Sequence, residues 1–200
     1  MNIILASKSP RRRKLLQEMN LEFDVINSSF NENQVTLLNK APHTYCMKLA
    51  EYKCKNISKN HSNSLVIGAD TIVYHNKKIL NKPENKNEAK EHLNALSDST
   101  HIVYTGVYAH IRSRDTVLAF YDKSYVTFYK LNNGDINYYI DHFKPYDKAG
   151  SYGIQDWSMI FVKKINGCFN NVVGFPISKF FKLGLNNNII NKVIIGNLNK

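Results

Sequence analysis

Residues 64–74 read Ser-Leu-Val-Ile-Gly-Ala-Asp-Thr-Ile-Val-Tyr. Apolar side chains fill positions of both parities, so a strand here has to be covered on both faces, as central strands of layered α/β sheets are. Asp70 interrupts this run. A carboxylate inside a buried strand is costly unless a cation or a metal compensates it. The plainer alternative is an Asp at a strand end, capping a neighbouring turn.

The start of the chain is the second constraint. Ile3 to Ala6 is an apolar run of strand length, followed by the turn Ser7-Lys8-Ser9. Ser9 is a good helix N-cap and Pro10 suits the first helical position. Leu15, Leu16 and Met19 then recur at helical spacing, with Asn20 as a stop. The turn therefore gathers two serines, unpaired backbone N–H groups and Arg11, Arg12, Arg13 and Lys14 at one helix N-terminus. Cations are repelled by the positive end of the helix dipole, whereas anions are attracted to it. The pattern points to a phosphate as the missing partner; a basic, solvated helix face is the alternative.

The remaining pattern alternates strands and helices. Phe23–Ile26 reads as a strand, residues 27–40 as an Asn-rich loop containing Glu32, and Thr44 to Lys59 as an amphipathic helix. Lys77–Leu80 is a short strand, and Glu84–Leu96 a helix. His101–Ile111 is a strand in which Gly106 marks a bulge. Val117–Tyr121 and Ser124–Tyr129 read as two further strands, and Asn132 caps a helix running to His142. Lys144–Gln155 is a structured loop. Met159–Ile165 and Cys168–Val173 read as a hairpin around Asn166-Gly167. Pro176 opens a last amphipathic helix to Leu185, and residues 186–200 form an Asn-rich tail, with 193–195 as a candidate small strand. The expected fold is α/β: a mixed sheet flanked by helices.

The net charge of +11, from 27 Lys+Arg against 16 Asp+Glu, favours anionic partners. Cys46, Cys54 and Cys168 form no C-x-x-C pair or zinc spacing and read as reduced thiols. No run approaches the roughly 20 apolar residues of a membrane helix, and the apolar run after Met1 is too short for a secretory signal and leads into arginines, so no signal is expected. The expectation is a soluble, cytoplasmic protein with no membrane partner. His101 and His110, nine residues apart on one strand, face opposite sides and make a poor metal pair.

Asp70, the basic turn and Lys82 (just before Pro83) call for one explanation, and Glu32 and Lys53 can join them. A divalent cation takes oxygen ligands, typically one or two carboxylates plus substrate phosphates. Asp70 and Glu32 could supply the carboxylates, while Lys82, Lys53 and Arg12 neutralise phosphate charge. That is a kit for hydrolysis at phosphorus, in which positioning and charge stabilisation do most of the work. The sequence holds no Walker loop, G-x-S-x-G elbow or H-E-x-x-H motif.

These motifs also resemble the Maf family of nucleotide pyrophosphatases, the septum-formation-like proteins. The matches are Leu5-Ala6-Ser7-x-Ser9-Pro10-Arg11-Arg12, Ile67-Gly68-Ala69-Asp70-Thr71, Lys82-Pro83, Leu96-Ser97, Thr105-Gly106-Val107, Asp147 to Gln155, and Val172-Val173-Gly174-x-Pro176. The resemblance implies a nucleoside triphosphate diphosphatase that cuts between the α and β phosphates with Mg²⁺ or Mn²⁺, often as a homodimer. It implies an elongated fold similar to the inosine-triphosphate pyrophosphatases. In that picture a single catalytic domain over residues 1–185 forms two lobes around a central cleft, followed by the 186–200 tail. Carried over residue by residue, it makes Asp70 the general base or metal-linked catalytic residue. Ser7, Arg12, Glu32, Lys53 and Lys82 then line the phosphate site, with Asp70 and Glu32 toward the metal. Arg11, Thr71 and Gln155 match the branch acting on dTTP and UTP; the branch acting on 7-methyl-GTP has Trp, Gln and Glu there. Gln155 offers a donor and an acceptor, which suits the imide edge of uracil or thymine.

The chain departs from the family pattern at Asn31, where Asp is usual, and at Asn81, Asp156 and Phe175. If that Asp helps to hold metal, metal affinity is weaker here. Two rival readings stand beside the enzyme. One is a basic nucleic-acid-binding protein, which needs exposed aromatics interleaved with cations; the tyrosines fall in strands and amphipathic helices, so core packing is expected and no stable nucleic-acid partner. The other is a division-related regulatory protein with vestigial catalysis.

Overall fold

The computed structural model describes residues 1–32, 35, 41–187 and 189–190. Residues 33, 34 and 36–40 of the expected 27–40 loop, and most of the expected 186–200 tail with its candidate strand at 193–195, lie outside the described residues.

The elements run β1 (Ile3–Leu5), α1 (Pro10–Gln17), β2 (Asp24–Val25), α2 (Pro42–Ser58), β3 (Leu65–His75), β4 (Lys78–Leu80), α3 (Lys86–Leu96), β5 (Thr100–Ile111), β6 (Thr116–Phe128), α4 (Asn133–Phe143), β7 (Val162–Asn166), α5 (Phe169–Val173) and α6 (Ile177–Asn186). They build a seven-stranded sheet in the order β2-β1-β3-β5-β6-β7, with β4 paired to β3. β1 is parallel to β2 and to β3, whereas β3–β4 and β6–β7 are antiparallel, so the sheet is mixed. As its two-sided apolar pattern requires, β3 lies inside the sheet, with Leu65 to Asp70 all buried.

The chain divides into two compact units. The first comprises residues 1–70, 105–122 and 174–200; the second comprises 71–104 and 123–173. In the first, α2 buries Cys46, Leu49, Ala50, Cys54 and Ile57 along one face. The helix lies so low on the sheet that glycine is required beneath it. A Cβ on Gly68 would sit 2.3 Å from the Ala50 carbonyl oxygen, and one on Gly106 2.6 Å from the Cys46 carbonyl carbon. Gly106 thus serves this close approach. In the second unit, α3 and α4 pack with the sheet around Val73, Leu93, Val126, Phe128, Tyr139, Tyr152 and Phe161. Asn85 and Asn132 cap those helices, accepting from the amides of Glu88 and Asp135.

Three expectations need correction. The strands read at Val117–Tyr121 and Ser124–Tyr129 are one continuous strand, β6, because Asp122 and Lys123 carry the pleat through with no turn. The hairpin expected over 159–173 is absent. Trp157–Phe161 is a 3₁₀ turn whose start is capped by Asp156 accepting from the Ser158 amide, and the strand begins only at Val162. Phe169–Val173 is a helical turn that buries Asn171 and Val173. Short apolar runs do not distinguish strand from helix by pattern alone, and here Asn171 decides, donating to the Val103 carbonyl and the Ser124 hydroxyl. Finally, core packing holds for Tyr45, Tyr139 and Tyr152, but Tyr52, Tyr125, Tyr129, Tyr138 and Tyr146 are exposed.

His101 and His110 are both buried and engage different partners: Tyr152 for the first and Ser58 for the second. All three cysteines are free thiols. Burial drives the Cys54 thiol up to about 12 and Cys46 higher, so neither is a nucleophile at neutral pH. Among the described residues no helix is long and apolar enough to cross a membrane.

Candidate active site

The first unit brings five of the nine expected site residues into two linked groups. The first group forms at the turn after β1. Ser9 caps α1, its hydroxyl accepting from the Arg12 amide at 3.4 Å. That cap fixes the first turn, and Arg12 leaves it pointing inward, only 8% exposed. Its Nε donates to the Gly174 carbonyl at 2.8 Å and an Nη donates to the Ser7 hydroxyl at 3.2 Å. Ser7, itself buried, also accepts from the Ser9 amide. The guanidinium is therefore clamped between the N-terminal turn and the segment before α6. Gly174 has φ 126°, a conformation open to glycine and strained for other residues. Here the structure explains a late motif to which the sequence assigned no task.

The second group is an ion-pair triad. Lys53, from the buried face of α2, places its ammonium 2.5 Å from Asp70 Oδ1 and 2.8 Å from Glu32 Oε1. The Lys53 and Asp70 side chains are 11% and 10% exposed, that of Glu32 40%. Burial pulls the Lys53 ammonium down, but Asp70 and Glu32 more than offset it and the net direction is upward, so Lys53 stays charged. Desolvation lowers Arg12, while Asp70 and Glu32 act on it in the opposite sense. The two groups thus share one field: two buried cations against two carboxylates. The compensation demanded by a carboxylate within β3 is met by Lys53.

The donor set fits a divalent cation as far as it goes. Two carboxylates from different segments converge on one point, now held by an ammonium, and phosphate and water oxygens could complete a shell. No group of three or more His, Cys, Asp or Glu side chains among the described residues could hold a metal by itself.

The other expected residues are placed by separate scaffolds. Arg11, half-buried, shares the first turn of α1 with Arg12. Thr71 follows Asp70 on β3, so the two side chains leave the strand on opposite faces. Lys82 and Gln155 are exposed and belong to the second unit. Lys82 follows Asn81, whose carbonyl accepts from the Gly150 amide at 3.2 Å. Gln155 sits between buried Ile154 and Asp156, and Asp156 accepts from Tyr139 and from the Ser158 amide and hydroxyl. Arg13 and Lys14 are exposed, consistent with solvated charge.

The model of the family described as Maf-like protein matches residues 2–185. A dTTP/UTP pyrophosphatase from Bacillus mycoides is 44% identical over 180 residues, covering 90% of this chain and 92% of that protein. One from Bacillus anthracis has the same identity and coverage, and one from Bacillus cereus is 43% identical over the same shares. Among solved structures, a HAM1 protein from Coxiella burnetii aligns over 64% of this chain and 73% of its own, at 14% identity and TM-score 0.42. A dITP/XTP pyrophosphatase from Mycobacterium abscessus aligns over 66% and 76%, at 10% identity and TM-score 0.41.

Proposed function

The chain belongs to the Maf-like protein family, and we propose that within it this protein is a pyrophosphatase that hydrolyses dTTP and UTP to the monophosphate and pyrophosphate. One observation carries the reading: Lys53, its side chain 11% exposed, gathers Asp70 and Glu32, while buried Arg12 stands in the same field. A structural ion pair needs one carboxylate; a second, on a different segment, supports a site for a polyanion and its counter-ion.

In the proposed mechanism Arg12 and Lys53 bind phosphate oxygens, held by the Gly174 carbonyl, Ser7 and the two carboxylates. Lys82 adds charge from its own unit. A divalent cation, when bound by Asp70 and Glu32, supplies further neutralisation of the phosphates and lowers the proton affinity of water. Water attacks the α-phosphorus, Asp70 Oδ accepts its proton, and the α–β bridging P–O bond breaks with its electron pair leaving on pyrophosphate. Buried, preorganised cations contribute most where charge accumulates on the leaving group, because no reorganisation is needed at that moment. On the base side, Gln155 can donate to and accept from the imide edge of a pyrimidine, and Arg11 and Thr71 are the other selecting residues of the proposal.

The test is release of pyrophosphate and monophosphate from UTP, dTTP, CTP, GTP and 7-methyl-GTP with Mg²⁺ or Mn²⁺, for the wild type and Asp70→Asn. The expected outcome is turnover of UTP and dTTP that falls at least ~10²-fold in the variant. Orthophosphate as the product would move the cut to the β–γ bond. Turnover untouched by Asp70→Asn would remove Asp70 from the mechanism. A nucleic-acid-binding reading has one observation in its favour, the exposed Tyr125 and Tyr129 with Lys123 and Lys163 over their rings at 5.6 and 5.8 Å. Salt-sensitive oligonucleotide binding without any nucleotide turnover would select it.

A further inference from the structure

The second unit contains a buried hydrogen bond that the mechanism does not use. His92 lies on the inner face of α3, 8% exposed, and its Nδ1 is 2.8 Å from the hydroxyl oxygen of Ser151, which is fully buried. Ser151 has φ +62°, directly after Gly150 at φ +67°. Glycine adopts that region freely, whereas a serine there is strained. Something must hold Ser151 in place, and its own local bond, amide to Lys148 carbonyl at 3.1 Å, leaves its side chain to His92.

The held residue sits at a junction. One position earlier, the Gly150 amide donates to the carbonyl of Asn81, the residue before Lys82. One position later, Tyr152 donates to or accepts from His101 at 2.8 Å and opens the run to Gln155. The far end of that run is fixed separately, by Ser158 bonding both the amide and the carbonyl of Gly153. Between these anchors His92 supplies the side-chain hydrogen bond to the 149–151 turn. We propose that His92 is a positioning residue: through Ser151 it sets the turn that ties the segment after β4, which bears Lys82, to the segment bearing Gln155, and so couples phosphate binding to base selection. The inference rests on the proposed pyrimidine nucleotide reading. Glu88 Oε1, one turn earlier on α3, lies 3.7 Å from the far ring nitrogen, Nε2.

Three variants test it. His92→Ala deletes the bond, and His92→Asn offers an amide atom near the position of Nδ1. Ser151→Gly deletes the hydroxyl but relieves the left-handed strain, so it keeps the fold even if His92→Ala does not. Steady-state kinetics on UTP and CTP read kcat and KM separately. The expected result for His92→Ala and Ser151→Gly is a higher KM for UTP and a UTP/CTP preference in kcat/KM reduced by about 10-fold, a common size for one lost positioning contact. His92→Asn recovers most of both. Wild-type KM and preference in Ser151→Gly, with only the melting temperature changed in the histidine variants, overturns the inference. A wild type that turns over neither nucleotide overturns the reading beneath it, and the inference with it, so the two failures are told apart by the unmutated protein.

Discussion

Replacing Gly106 by Ala puts a methyl carbon 2.6 Å from the carbonyl carbon of Cys46 and the amide nitrogen of Met47, and 2.7 Å from the Cys46 oxygen. All three are backbone atoms of α2, so no rotamer change relieves the clash. Carbon contacts settle at about 3.5–4.0 Å, so the helix has to retreat by about 1 Å. Overpacking of this kind costs about 1–3 kcal/mol. For a chain of this length each kcal/mol lowers the melting temperature by roughly 2–4 °C, giving a drop of about 2–12 °C. The retreat also reaches the site. Lys53 stands seven residues after Cys46 on the same helix and holds Asp70 at 2.5 Å and Glu32 at 2.8 Å. A shift of that size at a catalytic group costs about 10²-fold in rate. Thermal melts and pyrophosphate release from UTP measure both effects. A variant that is destabilised by the expected amount yet keeps kcat/KM within twofold of the wild type would refute the claim that the seating of α2 sets Lys53. An unchanged melting temperature would refute the packing argument itself.

Three further outcomes are expected. Lys53→Met leaves two carboxylates converging without their cation. A broken buried pair typically costs about 3–5 kcal/mol, so urea denaturation at pH 7 should show a loss in that range along with loss of turnover; a stable, active variant would show the triad to be incidental. Burial holds the His101 imidazole down at about 3, well below its ordinary 6.5. Above pH 6.5 the ring is neutral in both states; as pH falls, the unfolded chain takes up the proton first, and stability is lost from there down to about pH 3. Between pH 7 and 5 this group alone removes about 2 kcal/mol by linkage, and His101→Gln should flatten the pH dependence of the urea midpoint by that amount; parallel curves would contradict it. Gln155→Glu replaces a donor–acceptor amide with an acceptor-only carboxylate, so the preference for UTP over a purine nucleotide should fall by at least ~10-fold, measured as the ratio of kcat/KM values; an unchanged ratio would remove Gln155 from base selection.

The sequence by itself carried the strand–turn–helix at the N-terminus, because an apolar run, a Ser-Pro cap and helical spacing are all local signals. It also carried β3 as a two-faced strand and Asp70 as a charge in need of a partner, since burial there follows from the apolar parity alone. It did not carry the partner's geometry. That Lys53 spans Glu32 and Asp70, that Arg12 is clamped by a carbonyl 162 residues away, and that His92 meets Ser151 are facts of packing between distant segments, with no periodicity to announce them. The same holds for the misread runs 159–161 and 168–173, on either side of β7. These short apolar runs suit strand or helix equally, and only the contacts of Asn171, Asp156 and Ser158 choose between them. Gly106 shows the difference most clearly: the residue type signals that a Cβ is unwelcome, but that the intruder is the backbone of the helix bearing Lys53 is decided by the tertiary structure alone.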